Sequence, residues 1–393
     1  MNAVDYDSIV KYMNSMEFSG MKLGIERIRE ALQMFGNPEK NLKVIHIVGT
    51  NGKGSVAAMI SQILREAGHK VGMFTSPHLV DVRERIQIDG KMISKEEFRE
   101  AFLDAKSKLS DLTFFELVTL MAVLYFSKQK VDYAVFEAGL GGTYDATNFE
   151  TSLMSVVTRI SLDHTHILGD TEEKIAQDKC GIIKKNQPVV VTHANNKVMY
   201  VIEKAAKEKN ARLVIAQDTD YNTSLKGQFQ KENAGIAVKA AEELGIKGET
   251  IKKALQHVKW PGRVEFIEHN ILLDCAHNPA GITALREYVE TLDYEKLFIV
   301  FGVCKNKDYL NMLTLLPKHE ELIFTQASVA RRLPIDEIPE GLRCTKIREP
   351  LAALEHAKKR AGKKDLILVC GSIFLIGDIK AALTPEPVSN LIA

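Results

Sequence analysis

Cysteine is scarce in this chain. The five residues, Cys180, Cys275, Cys304, Cys344 and Cys370, are scattered and form no C-x-x-C pair, so neither a disulfide framework nor a thiolate zinc site is expected, and a reducing cytoplasm fits best. Net charge is equally small. The 52 Lys and Arg against 51 Asp and Glu leave +1, too weak a field to gather DNA, RNA or an anionic membrane. An anion must therefore be captured locally. No apolar run approaches the roughly 18 residues of a membrane span. Residues 1–7 carry acids where a signal peptide would be basic and then apolar. Internal repeats and low-complexity tracts are also missing, although the tail from Thr384 to Ala393 reads as loosely ordered.

The chain does have bulk and regular patterning. Its 393 residues, 45% hydrophobic and 26% charged, have the mix of a folded globular protein and the length of two domains or one enlarged domain. After a polar helical opening, apolar strands are predicted at Leu42–Val48, Val71–Ser76, Asp132–Gly139, Ser152–Ile160 and Gln187–Thr192. Helical spacing lies between them, notably at Ser55–Ala67 and Phe114–Lys128. Near-continuous Val/Ile strands alternating with helices predict an α/β fold with a parallel sheet covered on both faces. A break falls at Val258–Arg263, where Pro-Gly follows a helical segment and a new strand series begins with ILLDCA, KLFIVFGV, ELIFTQ and DLILVC. The domains are therefore drawn at 1–259 and 260–393.

Between the first strand and its helix lies Gly49-Thr50-Asn51-Gly52-Lys53-Gly54-Ser55. Consecutive backbone N–H groups at such a helix start cradle phosphate oxygens. Glycines permit close approach, Lys53 supplies a point charge for the terminal phosphates, and the Ser55 hydroxyl can ligate Mg²⁺. The strict G-x-x-x-x-G-K-[ST] pattern is not met, because position 47 is Ile and Gly54 separates the Lys from the Ser. The alternative is a glycine-rich turn without a ligand. A guanine-reading N-K-x-D is missing, since Asn306-Lys307-Asp308 lacks the spacer, which favours ATP over GTP.

Two further groups fall at predicted strand ends, where open α/β sheets place ligands. Glu137 closes DYAVFEAG, and Asp163, His164 and His166 follow the next strand. A carboxylate beside a phosphate loop can hold the Mg²⁺ that accompanies ATP, while a solvated strand-end Glu is the alternative. The two histidines and the Asp are candidate metal ligands without zinc spacing. Lys179 reads by default as a surface helix lysine.

Taken together the motifs carry a resemblance. HIVGTNGKGSV (46–56), FTSPHL (74–79) with RERIQIDG (83–90), TFFE (113–116), FEAGLGGTYDATN (136–148), LDHTHILGDT (162–171) with DKCGIIK (178–184), LKGQFQKENA (225–234), WPGRVE (260–265), LDCAHNPAG (273–281) and GSIFLIG (371–377) occur in this order. The chain resembles the folylpolyglutamate synthase/dihydrofolate synthase family of the Mur-ligase superfamily over almost its whole length.

The resemblance implies an N-terminal P-loop ATPase domain with a mostly parallel sheet, a smaller Rossmann-like C-terminal domain, and an active site in the cleft between them. It implies Mg²⁺ on Ser55, Glu137, His164 and a carbamylated Lys179. ATP would be held by Thr50, Asn51, Gly52, Lys53, Gly54, Ser55, Asn233, Arg263, Asp274 and His277, with Lys53, Lys179 and His277 catalytic. The folate site would comprise Phe74, Ser76, His78 and Asp145. The implied activity is ATP-dependent addition of L-glutamate to folate or dihydropteroate by a cytoplasmic monomer, with another superfamily ligase or a nucleotide-operated switch as the alternatives. Departures from the family pattern are Thr143 where Arg is expected, Asn306 where the family shows Asp, and Cys275 where Gly is common.

Overall fold

The computed structural model describes residues 5–17, 24–108 and 111–383. The tail beginning at Thr384, read above as loosely ordered, lies outside the described residues, as does part of the helical opening. The chain divides into two compact units. One comprises residues 1–78, 82–224 and 230–259, and the other residues 79–81, 225–229 and 260–393. Two short segments thus leave the first run of sequence and pack with the second unit.

The first unit holds an eight-stranded sheet. Its strands are β1 (Val44–Val48), β2 (Val71–Phe74), β3 (Ile86–Ile88), β4 (Lys91–Met92), β5 (Tyr133–Glu137), β6 (Met154–Val157), β7 (Val189–Thr192) and β8 (Leu213–Ala216). The order is β4-β3-β2-β5-β1-β6-β7-β8. Only the β3–β4 hairpin runs antiparallel to its neighbours. Every residue of β1, β2, β6 and β7 is buried, as strands covered on both faces must be. Val157, Val189 and Val191 join Ile175, Val198 and Ile202 of two helices in one core, while Val156 and Val190 are buried on the opposite pleat. The largely apolar helix Phe114–Lys128, its start fixed by a Thr113/Glu116 capping box, packs on β2.

The second unit is built the same way, with β9 (Glu265–Glu268), β10 (Ile271–Leu273), β11 (Leu297–Phe301), β12 (Glu321–Phe324), β13 (Thr345–Lys346) and β14 (Leu366–Cys370) in the order β13-β12-β11-β14-β10-β9. Only β9 is antiparallel. Alternate residues of β11 feed two cores, Leu297, Ile299 and Phe301 on one face and Phe298 and Val300 on the other. Four cysteines are buried, Cys344 is partly exposed, and none is bonded. Among the described residues no helix is long and apolar enough to cross a membrane.

Candidate active site

The first unit brings the C-terminal ends of β2, β5, β1 and β6 side by side. The register sets Glu137 opposite Ile47, two residues before the phosphate loop, Val157 opposite Val48, and Phe74 opposite Phe136. The 49–55 loop therefore leaves a central strand with a carboxylate on one side and the 158–164 segment on the other.

The loop is braced from segments remote in sequence. Thr50 N–H and Asn51 N–H both donate to the carbonyl of Arg159, at 2.8 and 3.3 Å. The Thr50 hydroxyl donates to Ser161 O at 2.9 Å and accepts from Ser161 N–H at 3.0 Å. Thr158 Oγ1 donates to Asn51 O at 2.7 Å. A Cβ on Gly49 would stand 1.8 Å from Thr158 Oγ1, and one on Gly52, whose φ is +90°, would stand 2.4 Å from Asn233 Oδ1. Both positions are closed to any other residue. Lys53, Gly54 and Ser55 open the helix Lys53–Glu66, and N–H groups of a first helical turn have no intrahelical acceptor. This is a cradle for phosphate oxygens. Lys53 Nζ donates to Gly49 O and Thr50 O at 3.1 and 3.3 Å, curled over the loop whose ligand it would meet. Asn233 donates to Gln230 Oε1 at 2.9 Å, and Gln230 Nε2 donates to Ser55 Oγ at 3.2 Å.

The candidate metal ligands occupy the same sheet edge. Glu137 is 5% exposed, and its Oε2 accepts from Ser76 N–H at 3.1 Å. His164 adopts the left-handed region at φ +49°, its N–H donating to Asp163 Oδ1 at 2.8 Å. His166 is exposed, its ring 6.2 Å from that of His164. Lys179 is far from the surface lysine its helical setting predicts. It is 4% exposed, and burial, with the Lys53 charge adding to it, lowers its ammonium to about 7 against partial relief from Asp178, Asp145 and Asp163. The lowered ammonium raises the share of free amine, the form that reacts with CO₂. Hydroxyl and carboxylate oxygens are hard donors that suit Mg²⁺, so the donor set fits the metal. Among the described residues no three His, Cys, Asp or Glu side chains form a cage on their own.

The Gly139–Asn148 loop and the 74–79 segment complete this edge. The Thr143 hydroxyl donates to the carbonyl of Asp178 at 2.7 Å. Buried Asp145 accepts from the N–H groups of Leu140 and Thr147, each at 2.9 Å; burial raises its carboxyl and these donors offset the shift in part. Its carboxylate thus ties the loop together. Ser76 and His78 are partly exposed, and Arg85 Nε donates to His78 Nδ1 at 2.9 Å, leaving Nε2 as the protonated nitrogen of a neutral ring. Phe74 departs from expectation. It is fully buried, packed 5.5 and 5.8 Å from the rings of Phe136 and Phe115, because the last strand residue still points into the aromatic core. In this structure its ring therefore packs in the aromatic core of the fold.

In the second unit, Asp274 Oδ2 accepts from Val264 N–H at 2.9 Å and Oδ1 from Ala276 N–H at 2.8 Å. Burial raises this carboxyl, while Arg263, two backbone donors and His277 pull it back. The Asp thereby ties down the backbone next to Arg263 and His277, and His277 Nδ1 donates to Cys275 O at 2.9 Å.

Sequence reading missed the braces Thr158, Arg159, Ser161 and Gln230, and Arg85 behind His78. No local signal marks them, for each acts through a contact with a distant segment.

Comparison with known proteins agrees with this geometry. Residues 47–263 match the Mur ligase middle domain, and residues 262–373 match the Mur ligase glutamate ligase domain. The dihydrofolate synthase/folylpolyglutamate synthase of Bacillus subtilis is 33% identical over 413 residues, covering 93% of this chain and 96% of that one. A probable bifunctional folylpolyglutamate synthase/dihydropteroate synthase of Haloferax volcanii is 32% identical over 97% of this chain, which spans 51% of that longer protein. Among solved structures, the bifunctional folylpolyglutamate synthase/dihydrofolate synthase of Yersinia pestis with AMPPNP and Mn ion superposes with a TM-score of 0.88 at 27% identity, over 96% of this chain and 98% of that one. The phosphate loop, the two α/β units and these matches together make the chain a member of the Mur-ligase superfamily, in its folylpolyglutamate synthase/dihydrofolate synthase family.

Proposed function

We propose that this chain is a cytoplasmic, monomeric ligase that uses Mg·ATP to add L-glutamate to folates, and to dihydropteroate as well, through an acyl phosphate. Residues 1–259 are read as its ATP-binding domain and 260–393 as its Rossmann-like domain. The observation that carries the reading is the pairing, in one unit, of a braced phosphate cradle with a buried lysine whose ammonium is lowered to about 7.

The chemistry is the one that the family resemblance implies, and the residues suit it. A pterin-side carboxylate attacks the γ-phosphate of ATP, ADP leaves, and glutamate's amine then displaces phosphate from the acyl phosphate. Phosphoryl transfer is mainly positioning and charge neutralisation. Thr50–Ser55 would hold the phosphates by backbone N–H groups, Lys53 would swing from its loop carbonyls to the terminal phosphates, and Asn233 would lie by the nucleotide. Ser55, Glu137, His164 and a carbamylated Lys179 would hold Mg²⁺. That metal, when bound, would neutralise developing charge on the transferring phosphoryl group. Arg263, Asp274 and His277 are assigned to ATP from the second unit, with His277 as a catalytic group. Ser76 and His78 would contact the folate, and Asp145 would shape that site through its loop.

Phosphate release from Mg·ATP and glutamate, measured with dihydropteroate, with tetrahydrofolate monoglutamate and with no pterin, tests the reading. Turnover with both pterins is expected. Turnover with one alone would reduce the enzyme to a single activity, and release indifferent to pterin and glutamate would replace the ligase by a nucleotide-operated switch.

A further inference from the structure

One buried polar residue has no part in the chemistry above. His46 lies mid-way along β1, three residues before the phosphate loop, in register with Phe136 of β5 and Ser155 of β6. It is 0% exposed among neighbours that are Val and Ile. Burial, with the Lys184 charge adding to it, lowers its imidazole to about 3, which favours the neutral ring at neutral pH. Nε2 lies 2.7 Å from Thr147 Oγ1. That hydroxyl donates its only proton to Asp145 Oδ1, so it can only accept from the ring, and Nε2 carries the hydrogen. Nδ1 is then a bare acceptor, buried with no hydrogen-bond partner.

A histidine so placed is a poor core residue. Its unmet nitrogen costs desolvation without return, where a Leu would bury carbon alone. What it provides is a directed N–H on a central, fully buried strand of the sheet. From that donor the bonds run to Thr147, to Asp145, and through the Asp145 carboxylate to the N–H groups of Leu140 and Thr147. The loop so tied includes Thr143, whose N–H and hydroxyl both hold the carbonyl of Asp178 next to Lys179.

We propose that His46 is the positioning residue of the 139–148 loop: its Nε2–H, relayed by Thr147 and Asp145, sets the loop that seats Lys179 and shapes the acceptor side of the site. It touches neither substrate nor nucleotide. The kinetic part of this assignment rests on the ligase reading, and the structural part does not.

The test uses the full chain with His46→Leu, His46→Gln and Thr147→Val. Gln places an amide N–H where the ring Nε2–H stands, and Leu removes the donor without adding a polar atom. His46→Leu is expected to lose hydrogen-exchange protection at Leu140, Thr143 and Thr147. Its kcat/KM for the pterin acceptor should fall at least tenfold while the KM for ATP stays within twofold. His46→Gln should keep the protection and most of the rate. The His46→Leu/Thr147→Val pair should be no worse than the poorer single variant, since both cut one chain of bonds. Unchanged protection in His46→Leu, an equal loss in His46→Gln, or additive losses in the pair would each overturn the proposal. If the native chain itself shows no glutamate-dependent turnover, the ligase reading fails, and the exchange data alone still decide the role of His46.

Discussion

The hydroxyl and the amide of Thr143 converge on a single acceptor, the main-chain carbonyl of Asp178, at 2.7 and 3.0 Å. Both bonds end one residue before Lys179, and they draw Gly142 so close that an added Cβ would stand 2.7 Å from the Lys179 carbonyl oxygen and 2.8 Å from its Cα. Backbone atoms cannot swing aside as the tip of a side chain can. Gly142→Ala is therefore expected to displace Lys179, lowering kcat at least tenfold at a cost of about 1–3 kcal/mol in stability. Steady-state rates beside a denaturant melt check this. A full-rate Gly142→Ala enzyme would show that the site tolerates movement of Lys179.

Lys53→Ala removes the cation from a loop whose shape is held by Thr158, Arg159 and Ser161. The fold should survive and ATP turnover should not. Circular dichroism and phosphate release separate the two, and retained turnover would remove Lys53 from the phosphate site.

Lys179 gives stability a definite pH dependence. In CO₂-free buffer its ammonium loses a proton near pH 7 in the folded chain but near 10.5 when exposed. Below pH 7 both states are protonated and folding bears the whole cost of a buried cation. Between the two values the unfolded chain binds the extra proton, so stability rises with pH by up to about 1.4 kcal/mol per unit. Above the upper value the cost is gone. Lys179→Met should flatten this limb when urea melts at pH 7 and pH 9 are compared. Parallel profiles for the two chains would mean that Lys179 keeps its charge.

Much of the site could be read from sequence because it is local. The strand, glycine loop and helix of 44–66 lie in one stretch, and Phe114–Lys128 has the bounds that its spacing predicts. What could not be read comes from contacts over long separations. Gln230 reaches Ser55 across 175 positions, and Thr158 reaches Asn51 across 107. The β3–β4 hairpin and β9 were also missed, being short and only partly buried, so no apolar run announces them. Lys179 shows a further limit. Its helix carries Glu, Lys, Gln and Asp, a pattern that reads as solvated until the loop laid over its last turn is known.

Phe74 supplies a test in the opposite direction. As a core ring, its replacement by Leu should lower the melting temperature and leave the KM for the pterin unchanged. A selective rise in that KM with normal stability would return Phe74 to the folate site.

The distribution of sulfur gives the molecule an unplanned convenience. Cys180, Cys275, Cys304 and Cys370 are buried and burial raises each thiol above its ordinary range, so thiolate is rare there and reagents do not reach it. Cys344, whose thiol burial also raises, is set apart by being partly exposed. A maleimide dye added to the native chain would therefore report from a single defined point in the second unit, with no cysteine having to be engineered in or out.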